Sequence, residues 1–538
     1  MNQKSASEKS GALFVGLGIF LSRISGLIRV RVFAHYFGNS DAGDAFNAAM
    51  KIPNFLQNLF GEGVLSASFI PVYANLIADN HNQKLNRENH IEAAKVASVI
   101  GSLLFTTVSI IVLLGILATP FIIDIVAPGF KGEKRLLTIQ IVQIIFPGTG
   151  LLVMSAWCLG ILNSHRKFFL SYVAPVVWNA ALIATLIIFG AGNTQYNLAV
   201  FLGWGLVAGS FLQFAVQLPT SLRLLKHFKP SLDTSLDSVR IVIRNFFPVV
   251  ISRGVIQLSA YIDGILASLL PMGAVSTLTY AQTLYLLPIS LFGMSISASE
   301  LPAMSSIKGT VDEINIYLRQ RLEAGLKKIA FFIVPSVCAF IFLGNILVAA
   351  ILQSGEFKKT EVNYVWMVLI GSTVGLLAST LGRLYSSTFY SLKDTKTPLK
   401  YAIVRVFLTT ILGYLFAFPL PKLLGLEASW GTTGLTTSAG VAGWIEFYLL
   451  RKALNQRIGD TTLRITYQTK LWLSAISASV IGYSVKMLIN FEPIATAIIV
   501  FIFFGFTYFF ISYLLKIEES KNTIDKILNK IKKILRVH

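Results

Sequence analysis

The chain has 538 residues, of which 54% are apolar and 13% charged, and a formal net charge of +20. About a quarter of the residues of a soluble globular chain are charged, so this composition, with a mean hydropathy of +0.67, excludes a soluble globular protein. Apolar windows recur from end to end and leave no room for a large soluble domain, so the expected fold class is an all-α polytopic membrane protein.

A helix needs about 20 residues, at 1.5 Å each, to cross roughly 30 Å of hydrocarbon. About fourteen such transmembrane helices are predicted, beginning near residues 12, 42, 94, 136, 170, 197, 241, 275, 325, 362, 398, 429, 470 and 494. The first lacks a small-residue cleavage site and reads as retained rather than as a signal peptide. The long basic loop from Arg223 to Arg244 divides the chain into two six-helix lobes, 1–230 and 231–455. Two additional helices, 456–516, and a basic amphipathic tail, 517–538, follow. Assigning alternate loops to alternate sides concentrates Lys and Arg on the side of the N-terminus, which places both termini in the cytoplasm. This distribution, rather than nucleic-acid binding, accounts for the basic charge. Cys158 and Cys338 lie in different apolar runs and read as core thiols, and no Cys/His spacing resembles a metal site.

In chain order, the first charged residues at membrane depth are Arg23 and Arg29, with Ser22 beside them. An ionised group in hydrocarbon costs roughly 2.5–3.5 kcal/mol even on lenient scales, so it normally faces a polar cavity, a partner or a substrate. Arg23 and Arg29 flank Gly26 and point about 120° apart on a straight helix; a bend at Ser25-Gly26 would converge them on a diphosphate. Asp44 follows small polar residues and is expected near the external mouth. Lys51-Ile52-Pro53-Asn54 suggests a helix broken at Pro53, with Asn54 satisfying a freed backbone group and Lys51 facing the cavity. Glu62, between Gly61 and Gly63, either pairs with a cavity arginine or caps a helix end. Arg253 and Gln257 share a helix face, and Asp263 is either a site for a coupling ion or proton or a neutralising partner for Arg253, Arg383 or Arg405. A sodium site wants several oxygen ligands, and the eleventh span offers only Thr409 and Thr410.

Leu59-Phe60-Gly61 with Ser66-Ala67-Ser68-Phe69-Ile70-Pro71 recurs as Leu291-Phe292-Gly293 with Ser297-Ala298-Ser299-Glu300-Leu301-Pro302, and Ser22-Arg23 recurs in nearly the same register as Ser252-Arg253. An even number of spans separates the copies, so the lobes are pseudo-symmetric about an axis along the membrane normal, a parallel repeat of the kind found in transporters. Enzyme readings lack support: the chain has no G-x-S-x-G elbow, no paired carboxylates in one short motif, and no phosphate or dinucleotide loop in the required context.

Ser22-Arg23-x-x-Gly26-x-x-Arg29, Phe37-Gly38, Asp44-Ala45-Phe46, Lys51-Ile52-Pro53-Asn54, Gly61-Glu62-Gly63 and Tyr390-Ser391-x-x-Asp394-x-Lys396-Thr397-Pro398 together resemble the MurJ (MviN) family of bacterial lipid II flippases. That family belongs to the multidrug/oligosaccharidyl-lipid/polysaccharide exporter superfamily. The resemblance implies alternating access and a cationic cavity in which Ser22, Arg23 and Arg29 engage a diphosphate-sugar head group, with the last two helices holding the polyprenyl tail. Gln57 and Ala281-Gln282-Thr283 stand where the family commonly has arginines, and Val30 where an acidic residue is common. Arg253 is the expected replacement, with Lys51 and Arg383 as further candidates. The expected function is translocation of lipid II, without covalent chemistry or cofactor, to the outer leaflet of the bacterial inner membrane for peptidoglycan synthesis. A monovalent cation or the membrane potential would drive it, and a monomer is expected. Export of another polyprenyl-linked oligosaccharide, or a non-transporting scaffold for envelope synthesis, are the alternatives.

Overall fold

The computed structural model describes the backbone of residues 2–78, 83–226, 228–307 and 309–525; within these, the side chains of 2–17, 19, 62, 83–87 and 251–260 lie outside the described residues. The side chains of Glu62, Arg253 and Gln257, and the tail beyond residue 525, therefore fall outside the description. Long apolar runs leave the backbone no hydrogen-bond partner but itself, and the chain is helical accordingly. Among the described residues the only β pairing is an isolated bridge between Ser354 and Phe357.

The chain forms two compact units, residues 1–276 with 354–357, and residues 277–353 with 358–538. The first holds α1 (Asn2–Phe37), α2 (Asp41–Phe60), α3 (Glu62–Ser68), α4 (Ile70–Ile77), α5 (Gln83–Val126), α6 (Gly132–Ser164), α7 (Phe168–Gly190), α8 (Gln195–Leu225) and α9 (Asp237–Ser268). The second holds most of α10 (Ala274–Pro288), a π-helical segment (Ile289–Met294), α11 (Ser295–Ser305), α12 (Val311–Phe342), α13 (Gly344–Leu352), α14 (Lys359–Thr373), α15 (Leu376–Ser391), α16 (Lys396–Ala417), α17 (Pro419–Leu423), α18 (Trp430–Ile458), α19 (Ile465–Leu488) and α20 (Pro493–Leu514).

Ten stretches among the described residues are long and apolar enough to cross a membrane, or eleven if α14 and α15, bent by 42°, form one crossing. The long helices α1, α9 and α18, of 36, 32 and 29 residues, are not among them. Arg23, Arg29 and Arg31 interrupt the first, Arg240, Arg244, Arg253 and Asp263 the second, and Ser, Thr and Gly dilute the third.

In the first unit α6 packs on α8 through a buried polar link: the Ser155 hydroxyl donates to Gln217 Oε1 at 2.7 Å and accepts from Gln213 Nε2 at 3.0 Å. Trp157 donates Nε1–H to the Ala97 carbonyl at 3.1 Å, and its ring lies so close to Gly101 that a Cβ there would come within 2.9 Å. In the second unit the break between α14 and α15 rests on α18, where a Cβ on Gly375 would lie 2.6 Å from Gly440 Cα. Small residues let membrane helices approach this closely. Trp444 Nε1–H donates to the Val374 carbonyl at the break, at 2.8 Å.

The sequence repeat has a local counterpart in each unit. α2 ends at Phe60, with an interruption at Gly61; the matching Leu291-Phe292-Gly293 lies in the π-helical segment between α10 and α11. Both copies thus depart from regular α-helical bonding within the repeated Leu-Phe-Gly, the first at Gly61 and the second across all three residues. α2 itself is continuous through Pro53, contrary to the break expected there; a proline costs the helix one hydrogen bond, and the interruption falls instead at Gly61.

Candidate functional site

In α1 the helix runs uninterrupted through Ser25 and Gly26. The Ser25 hydroxyl donates to the Ser22 carbonyl and accepts from Asn179 Nδ2, both at 3.0 Å, which ties α1 to α7. One turn on, the Arg29 guanidinium lies 4.9 Å from the centre of the Trp178 ring. A cation over an indole face is stabilised by roughly 0.5–2 kcal/mol. Arg23 is exposed and Ser22 half-buried. No side chain in the first unit lies within 4 Å of where a Cβ on Gly26 would be.

Lys51, on α2, lies within electrostatic reach of Asp263 on α9 and of Asp44. Its ammonium occupies space that only a glycine leaves open, because a Cβ on Gly264 would overlap Nζ. The Tyr261 hydroxyl donates to the Lys51 carbonyl at 2.5 Å, and its ring meets Phe55 edge-on at 5.5 Å. Asp263 thus has a lysine for its neighbour, a pairing the sequence did not single out. Pro53 is buried and Asn54 exposed on the same helix.

Asp44 is 1% exposed and fully engaged. One carboxylate oxygen accepts from Lys134 Nζ and from the Gly273 amide, each at 2.8 Å; the other accepts from the Ser276 amide at 2.8 Å. Lys134 also meets Asp41 at 2.8 Å, and Asn47 donates to the Ser276 hydroxyl at 3.1 Å. Asp44 therefore caps the first turn of α10 from a distant part of the chain, as an N-cap side chain does locally, while Lys134 balances its charge.

The second unit carries a separate charged group. Arg405 on α16 pairs with Glu446 on α18 at 3.0 Å, and Arg383 on α15 is exposed beside them. The Tyr390–Pro398 motif is a helix start: Asp394 accepts from the amides of Lys396 and Thr397, both at 3.0 Å, from the Thr397 hydroxyl at 2.7 Å, and from Arg457 at 2.6 Å. The Thr397 amide and hydroxyl, with the Arg457 guanidinium, hold the Asp394 carboxyl down at about 2. Thr283, at a position where the resembled family has an arginine, bonds back to the Thr279 carbonyl at 2.9 Å.

Within each unit the expected site residues have the following neighbours, with Lys51 in reach of Asp44 as well as of Asp263. Lys51 and Asp263 come together, Arg29 sits on Trp178, Asp44 is committed to a cap, and Arg383 joins Arg405. Sequence reasoning missed Lys134, Trp178 and Glu446; a carboxylate inside an apolar run such as Trp444-Ile445-Glu446 is the signal that would have found the last. Among the described residues no group of three or more His, Cys, Asp or Glu is placed to hold a metal ion.

Residues 33–507 match the family model described as lipid II flippase MurJ. The lipid II flippase MurJ of Burkholderia cenocepacia is 30% identical over 452 residues, covering 81% of this chain and 82% of that protein. The probable lipid II flippase MurJ of Aquifex aeolicus is 30% identical over 415 residues, covering 76% of this chain and 77% of that protein. Two solved structures share the fold. A lipid II flippase MurJ in an inward closed conformation has a TM-score of 0.76 at 24% identity, covering 93% of this chain and 98% of that one. An inward-facing multidrug resistance MATE family transporter of the MOP superfamily has a TM-score of 0.62 at 18% identity, covering 80% of this chain and 95% of that one.

Proposed function

The chain belongs to the MurJ family of lipid II flippases, and from that premise we propose that it carries the undecaprenyl-diphosphate-linked peptidoglycan precursor from the cytoplasmic to the outer leaflet of the inner membrane. The observation that carries the reading is the match over residues 33–507, joined to arginines held at membrane depth in α1. The work is transport rather than catalysis: no bond in the substrate changes.

Arg23 and Arg29, with Ser22, Lys51, Asn54, Glu62, Arg253, Gln257 and Arg383, grip the diphosphate and sugars. Guanidinium groups suit this task because they bind phosphate oxygens in pairs and keep their charge at any accessible pH. Gly26 and Pro53 are points where α1 and α2 yield during the cycle, and Asp44 holds the mouth by capping α10. Asp263, beside Lys51, is the group through which a monovalent cation or proton would couple. The membrane potential can also drive the step, since one charge moved across 100 mV is worth about 2.3 kcal/mol.

Counting α1, α9 and α18 as crossings, each longer than the 20 or so residues required, brings the eleven apolar crossings to fourteen. The lobes are 1–230 and 231–455, followed by the helices of 456–516, which hold the polyprenyl tail, and the basic tail 517–538. Both termini then lie in the cytoplasm. Among the described residues four non-glycine residues have positive φ, Arg166, Lys226, Lys393 and Lys516, and all are basic residues just past the C-terminal ends of α6, α8, α15 and α20. These would be even-numbered crossings. Cations there complement both the helix dipole and the positive-inside rule, which supports the orientation.

Complementation of a MurJ-depleted bacterium tests this function. Wild type should rescue growth, and Arg23→Ala and Arg29→Ala should not at equal expression. Rescue only by a Gln57→Arg/Thr283→Arg variant would assign the cavity to a different lipid-linked glycan, and rescue undiminished by the arginine changes would point to a scaffold.

A further inference from the structure

Arg383, Arg405 and Glu446 come from three different helices and meet at one depth. Counting 1.5 Å per residue, Arg405 lies about 14 Å from the start of α16 at Lys396, Arg383 about 12 Å from the end of α15 at Ser391, and Glu446 about 18 Å from the end of α18 at Ile458. Both arginines are within electrostatic range of each other and of Tyr285, Arg383 is also within range of Glu446, and Tyr285 is hydrogen-bonded to Ser379. All five residues belong to the second unit.

Two like charges brought together far from a membrane surface require compensation, and a single carboxylate supplies only half of it. Glu446 is spent on Arg405, at 3.0 Å, with its side chain 16% exposed. Arg383 is exposed. An exposed guanidinium at this depth borders an aqueous cavity or an anion, because hydrocarbon would not tolerate it.

We propose that Arg383 and Arg405, with the hydroxyls of Tyr285 and Ser379, form an anion site within the second unit that takes a phosphate or diphosphate group, and that Glu446 is the counter-charge that limits its grip. This rests on the lipid diphosphate reading above and deepens it: the second unit supplies its own phosphate contact. A site of net charge +2 would bind a diphosphate tightly and release it slowly. With Glu446 present the net charge is +1, enough to hold the anion and still let it go.

The test uses full-length protein and two probes, inorganic pyrophosphate by titration calorimetry in detergent and undecaprenyl diphosphate in nanodiscs. Arg383→Gln and Arg405→Gln should each weaken binding of both probes at least tenfold, and Arg383→Lys less. Glu446→Gln should bind pyrophosphate more tightly than wild type yet flip lipid II more slowly in proteoliposomes, a split that simple loss of structure would not produce. The Arg405→Gln/Glu446→Gln double variant leaves Arg383 without the opposing carboxylate, so it should bind pyrophosphate more tightly than Arg405→Gln and more weakly than Glu446→Gln. Weakening confined to inorganic pyrophosphate would assign the site to a soluble anion and overturn its link to the lipid. Wild-type affinity for both probes in the arginine variants, with wild-type flipping intact, would overturn this inference and leave the proposed function standing. If wild type does not flip lipid II but binds pyrophosphate through Arg383, the site stands and the function falls.

Discussion

Lys51 and Asp263 lie within electrostatic reach of each other between α2 and α9, and Gly264 leaves the space that the Lys51 ammonium fills. Substituting Gly264→Ala puts a methyl where Nζ lies. The end of a lysine is flexible, so the fold should hold with little change in melting temperature while the pairing is lost. Flipping should fall in Gly264→Ala and in Lys51→Met alike. A double-mutant cycle of Lys51→Met and Asp263→Asn, read by denaturation of the purified protein, should show a coupling of about 1 kcal/mol or more.

Asp44 is a stability residue by its geometry. Removing one partner of a buried ion pair costs about 3–5 kcal/mol, and here two capped amides lose their acceptor as well. Asp44→Ala should lower the melting temperature strongly. Asp44→Asn, which keeps an acceptor oxygen, should lower it less, and Lys134→Met should fall between wild type and Asp44→Ala.

Asp394 gives a pH signature. Its folded value of about 2 lies below the ordinary aspartate value of about 3.9. The ionised form is therefore favoured by folding: its contribution is complete above about pH 4 and is lost as pH falls toward 2. Asp394→Ala should cost about 1 kcal/mol as a lost N-cap, equally at pH 7 and pH 5. The difference from wild type in thermal melting should shrink only below about pH 4.

The glycines separate packing from motion. Gly440→Ala would drive a Cβ to 2.7 Å from the Gly375 amide nitrogen, and overpacking of this kind costs about 1–3 kcal/mol. Gly26, with open space around it within the first unit, should accept alanine with a gain of about 0.5–1 kcal/mol in helix stability. If α1 bends at Gly26 during transport, Gly26→Ala should melt no lower than wild type and yet flip more slowly.

What the sequence made legible follows from which forces are local. Uninterrupted apolar length identified most of the crossings, because a run such as 493–514 has no alternative to a buried helix. The Leu-Phe-Gly repeat was legible as a repeat but not as the place where α2 ends and where the π-helical segment forms between α10 and α11. Asp44 was read as a mouth residue because its neighbours in sequence are small and polar; the amides it caps lie 229 and 232 residues further along. No window of sequence contains that relationship. Pro53 suggested a break by a local rule, and the helix absorbs it. Lys51 reads as a cavity residue and Asp263 as a coupling-ion or proton site or a partner of several arginines; that packing of α2 against α9 sets the two beside each other is not legible in either local sequence.

The most direct test of the account is flipping of lipid II by the purified full-length protein in proteoliposomes, comparing wild type with Arg23→Ala and Arg29→Ala at equal reconstitution. The account predicts movement of lipid II across the bilayer by wild type and at least a tenfold slower rate in both variants. Wild-type rates in the two arginine variants would contradict it.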